Sequence, residues 1–161
     1  METLVVIVTA EGWDLGVFAA ALGASHQVAP ASPGSGRHLV VSRPESSARA
    51  YVVLMDREGD GLFEDWPEAL IPEEPFAAFA IDYRVPALAE SIARAILSGT
   101  TGLVDTNFGD VLTGEEFLAR TGRAGPRRVW WTWPTPEPMP SAGAPASVPR
   151  DLGGEIGGPG P

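Results

Sequence analysis

From Pro134 onward the chain changes character. Eight prolines and six glycines fall within its last 28 residues, with few large apolar side chains among them. A segment of that composition cannot bury enough apolar surface to offset the entropy lost on ordering it. The foldable unit is therefore expected over residues 1–133, as one domain, with residues 134–161 a Pro/Gly-rich flexible tail. A unit of that size can bury a substantial core but has no room for two ordinary domains.

Within this unit the hydrophobic periodicity changes several times. Leu4 to Val8 is a continuous, largely β-branched run, as expected of a strand covered on both faces and central in its sheet. Leu15, Phe18, Ala19 and Leu22 recur at helical spacing and Gly23 supplies a stop, which predicts a helix over residues 13–22. His26 to Gly36, with Pro30, Pro33, Gly34 and Gly36, reads as a loop. His38–Arg43 and Arg49–Met55 read as a hairpin around Pro44-Glu45-Ser46-Ser47. Phe76 to Tyr83 alternates, putting Phe79, Ile81 and Tyr83 on one face and Asp82 on the other.

The second half of the unit is clearer still. Residues 86–98 form a helix, with Pro86 in the first turn, Leu88, Ala89, Ile92, Ala95 and Ile96 as its buried stripe and Gly99 as its stop. Leu103-Val104 and Val111-Leu112 flank the turn-forming Asp105 to Asp110, and Thr113-Gly114-Glu115-Glu116 has the form of a capping box that starts a last short helix. Arg127 to Trp133 reads as a final strand. The order of elements predicts an α+β domain: a mixed, mostly antiparallel sheet with two or three helices on one face, and a ferredoxin-like core with additions.

Composition excludes several classes of function. The chain has no cysteine, which removes disulfides, thiolate nucleophiles and Cys-bound zinc. With 21 acidic and 11 basic residues, its formal net charge is −10. Bare nucleic acid is repelled by such a chain, and a basic protein partner suits it. An acid follows Met1 where a secretory leader carries positive charge, and no apolar run approaches the roughly 18 residues of a membrane span, so no membrane association and a cytoplasmic protein are expected.

The densest set of polar groups lies between Asp56 and Glu68. Asp56, Glu58, Asp60 and Gly61 follow the spacing by which a tight loop gathers oxygens around calcium. Beyond them the pattern fails: Pro67 stands where a bidentate Glu should close the loop, Glu68 comes one residue late, and a strand precedes the loop where an EF-hand has a helix. A solvated acidic turn between two strands is the better reading, and no metal is assigned. Catalytic motifs are equally thin. His26 and His38 belong to no nucleophile or metal motif, and the serines lack a nucleophile elbow. Asp105 and Asp110, a conceivable acid–base pair, flank a turn where Asp is common for backbone reasons. The chain is therefore read as a non-enzyme with no cofactor.

The strand Phe79-Ala80-Ile81-Asp82-Tyr83, the helix Leu88 to Leu97, the hairpin Leu103 to Leu112 leading to Glu115-Glu116-Phe117, and the late Trp130-Trp131 together span Phe76 to Trp133. In this order of elements the stretch resembles small immunity proteins encoded beside bacterial polymorphic toxins. The resemblance implies a small cytoplasmic domain that blocks a toxin by binding it, commonly with an acidic surface against a basic nuclease. The long tail departs from that pattern. The expected function is thus protein binding by an immunity or regulatory protein that neutralises a basic bacterial partner. Glu58, Asp60, Glu64, Asp65 and Trp66 are the expected contacts in the acidic loop, joined by Trp130 from the Arg- and Trp-rich segment. The alternative is a structural or adaptor component of a larger assembly, of phage or injection-system type, tethered through the tail.

Overall fold

The computed structural model describes residues 1–34, 36–122 and Trp131. Its elements are β1 (Glu2–Val8), α1 (Leu15–Leu22), β2 (Gln27–Pro30), β3 (His38–Ser42), β4 (Arg49–Leu54), β5 (Ala77–Tyr83), α2 (Pro86–Leu97), β6 (Gly102–Asp105), β7 (Val111–Thr113) and α3 (Gly114–Thr121). The seven strands form one sheet in the order β2-β3-β4-β5-β1-β6-β7. Among the described residues every pairing is antiparallel, in keeping with the mostly antiparallel sheet expected. From β1 to β6, setting aside β2 and β3, the elements run β-α-β-β-α-β, the element order of a ferredoxin-like unit.

β1 lies inside the sheet between β5 and β6, in register with β5 from Glu2 opposite Tyr83 to Val8 opposite Ala77. This position accounts for its unbroken apolar run. Leu4, Val6 and Val8 face one layer, Val5 and Ile7 face another, and all five are buried. β6 closes against β1 at a glycine: a Cβ on Gly102 would collide with the Ile7 carbonyl oxygen, so only glycine permits that approach.

All three helices contribute to a single core on one side of the sheet. Phe18, Leu22, Ile92, Ile96 and Phe117 pack there with Leu4, Val52, Phe79, Ile81 and Val104. The rings of Phe18 and Phe79 are 4.6 Å apart, and Trp131 seals the core beside Phe117, at 5.4 Å between centroids. Burial pushes the Tyr83 hydroxyl up to about 12, and its oxygen accepts a hydrogen bond from the Trp131 indole at 3.2 Å.

Local chemistry sets the helix ends. The Asp14 carboxylate accepts the Val17 N–H at 2.8 Å and starts α1. At α3 the Thr113 hydroxyl accepts the Glu116 N–H while Glu116 accepts the Thr113 N–H, the capping box read from sequence. Arg94 fastens α2 to the end of α3 by donating to the Leu118 carbonyl and, at 2.6 Å, to the Thr121 hydroxyl.

One correction concerns the stretch read as a loop over His26–Gly36, which contains the edge strand β2. Pro30 hid it. On an edge strand a proline's missing N–H faces outward and interrupts no ladder, so the residue that argued against a strand is tolerated there. Of the expected final strand Arg127–Trp133, only Trp131 lies within the described residues. Trp130 and the expected tail 134–161 lie outside them.

Candidate functional site: an acidic cleft on the open face of the sheet

The side of the sheet away from the helices is covered differently. Between β4 and β5 the chain makes a long excursion whose Leu62, Phe63, Trp66 and Phe76 fold back over Val5, Ile7 and Ala78. The three aromatic rings stack edge to face, with Phe63 4.9 Å from Trp66 and 5.4 Å from Phe76. Phe63 reaches this position with φ of +78°, a left-handed conformation that a bulky side chain rarely adopts.

The acidic loop is therefore amphipathic in a way that its charge count conceals. Its apolar residues form a satellite core against the sheet, while Glu58, Asp60, Glu64 and Asp65 are left exposed. Trp66 is half-buried and donates its indole N–H to an Asp105 carboxylate oxygen at 2.7 Å, across 39 positions of sequence. The other oxygen of Asp105 accepts the Asn107 N–H at 2.8 Å, fixing the turn between β6 and β7, where Asn107 has φ of +57°. One carboxylate thus holds the loop to the hairpin and shapes the hairpin itself.

Between these two walls lies a cleft of about 760 Å³. Asp60, Glu64, Asp65 and Trp66 line it from the loop, Asp105 and Asp110 from the hairpin, and Thr3 and Val5 from β1. Among the described residues no basic side chain lines it. Acid walls of one sign with apolar groups beneath them concentrate negative potential, which favours a cationic group entering the cleft.

Four of the six residues expected to contact a partner are brought together here: Asp60, Glu64, Asp65 and Trp66. Glu58 is exposed on the same loop but is not part of the lining, and Trp130 lies outside the described residues. The spacing that suggested calcium has another use. The Asp60 carboxylate accepts the Asp56 N–H at 2.7 Å, and the Asp60 N–H donates to the Asp56 carbonyl, closing the turn on itself. Among the described residues no group of three or more acids or histidines is arranged to hold a metal ion.

From the sequence Asp105 and Asp110 read as turn residues, or at most as an acid–base pair or magnesium ligands. Their place opposite the acidic loop follows from β6 lying next to β1, a pairing across nearly a hundred residues that no local spacing announces. His38 is exposed at the start of β3, and His26 is buried on the helix side. No protein-family model, curated protein or solved structure matches the chain.

Proposed function

We propose that the chain is a non-enzymatic binding protein that takes a basic segment of a bacterial protein partner into the acidic cleft, as a cytoplasmic immunity or regulatory protein would. The observation that carries this reading is the cleft lining: five carboxylates on two walls, beside the Trp66 ring and with no basic side chain among the described lining residues. The net charge of −10 supports it, because a cationic partner would be drawn in over distances up to the screening length. Trp66 fits such a role as a rigid ring beside the charges, already held in place by Asp105. An Arg or Lys side chain entering between the walls would meet carboxylates on both sides and an aromatic edge beneath.

The test uses a basic protein that co-purifies with the chain from its native host. Binding is measured by calorimetry and stopped flow at two salt concentrations, for the wild type and for Asp60→Asn/Glu64→Gln/Asp65→Asn. These acids are exposed, so their expected effect falls mainly on association: roughly tenfold slower at low salt, with the difference shrinking as salt rises. Unchanged association by the triple variant at low salt, or recovery of no basic partner, would overturn the reading.

A further inference from the structure

On the helix side of the sheet, one buried polar cluster is not used by the proposed function. His26 is 7% exposed and sits where the single 3-10 turn Gly23–Ser25 after α1 leads into β2. Its Nδ1 is 2.9 Å from the Ser25 hydroxyl and its Nε2 is 2.8 Å from the hydroxyl of Ser91, within α2. The Ser25 hydroxyl also lies 2.8 Å from the Leu22 carbonyl.

One tautomer satisfies all three contacts at once. A carbonyl can only accept, so the single Ser25 proton goes to Leu22, and the Ser25 oxygen must accept from Nδ1–H. Nε2 then carries no proton and accepts from the Ser91 hydroxyl. The arrangement has the hydrogen-bond order of a serine activated by a histidine. Ser91, however, lies within a helix whose neighbouring N–H groups are committed to helical carbonyls, so they cannot serve an oxyanion, and Nδ1 meets a hydroxyl where such sites place a carboxylate.

We propose that this cluster is a proton-sensitive clasp: with neutral His26 it ties the end of α1 to α2 and anchors the edge strand β2, and with protonated His26 it lets β2 go while the rest of the sheet holds. The reason is geometric. A proton on Nε2 makes the Ser91 hydroxyl turn from donor to acceptor and places a positive charge among neutral hydroxyl partners in a site only 7% exposed. β2 is the element that depends on the anchor, because it follows His26 directly, pairs only with β3, and is largely exposed.

Among the described residues few charged groups surround the site. Arg43 and Glu45 approach from the turn between β3 and β4. On α2, Glu90 and Arg94 flank Ser91 in sequence, with the Arg94 guanidinium turned to α3. α1 carries no charged residue. Burial is the largest influence and holds the imidazole below its ordinary 6.5; the Leu22 backbone opposes this, Arg43 adds to it and Glu45 opposes it. With the folded midpoint below the unfolded one, the clasp's contribution is whole above pH 6.5 and is lost as pH falls through the folded midpoint.

The experiment is nitrogen-detected NMR of the two imidazoles from pH 8 to 4.5, assigned with His38→Gln, together with amide hydrogen exchange over the same range. The expected result at neutral pH is a protonated Nδ1 and a bare Nε2 on His26, titrating below 6.5. Amide exchange over Gln27–Ala31, corrected for intrinsic rates, should rise by about tenfold for each pH unit separating that midpoint from 6.5, while β1 and β5 stay protected. An Nε2–H tautomer, a midpoint at or above 6.5, or loss of protection spread evenly over the sheet would each overturn the clasp. Wild-type protein alone decides all three.

Discussion

The two faces of the sheet are covered by opposite means. On one, three helices bring long apolar side chains from distant parts of the sequence into a continuous core that includes Phe18, Phe79, Phe117 and Trp131. On the other, a single irregular excursion lays down three aromatic rings and a leucine over three buried sheet residues, Val5, Ile7 and Ala78. On the helical face Asp14 and Thr113 cap their helices and Arg94 ties α2 to the end of α3. The loop face leaves its carboxylates in water and is fixed to the hairpin by Trp66 and Asp105. Stability rests mainly on the helical face, so the interface proposed on the loop side would put little of the fold at risk.

The sharpest way to break this comparison is to truncate one aromatic on each side. Phe79→Ala removes a fully buried ring that meets both Phe18 and Trp13, and we expect a loss of about 3–5 kcal/mol in urea unfolding. Trp66→Phe keeps an apolar ring but deletes the bond to Asp105, with an expected loss of about 1 kcal/mol and faster proteolysis within residues 56–70. Equal losses from the two changes would mean that the faces share the load. The smallest effect is expected from Glu74→Gln, which breaks the Arg57–Glu74 ion pair at the rim of the loop. Both side chains are at least half exposed, so the unfolding midpoint should move by no more than the equivalent of about 0.5 kcal/mol, and less in high salt.

What the sequence disclosed follows the same division. Elements whose neighbours lie close in sequence or whose pattern repeats were legible: the β1 run, the α2 stripe, the β3–β4 hairpin and the Thr113–Glu116 capping box all stand where the residues put them. β2 was hidden because its four residues are mostly exposed and end in proline, leaving no alternation to read. The acidic loop was visible as charge but not as cover, since Leu62, Phe63 and Trp66 stand among acids between Gly61 and Pro67, a stretch too short to read as a helix or strand. The opposite wall of the cleft was out of reach for a different reason. Asp105 and Asp110 join the loop only through the order of strands, which tertiary packing decides and local spacing does not encode.

Trp131 has a bearing on where this domain can be cut. The last helix ends at Thr121, which looks like a natural boundary, yet the indole ten residues later lies 1% exposed against Phe117 and Tyr83. A chain stopped at Gly122 would retain every helix and strand described and still carry a hole the size of an indole in its largest core, with the Tyr83 oxygen facing it. The smallest self-sufficient piece of this protein is defined by a side chain that returns, not by the last turn of regular structure.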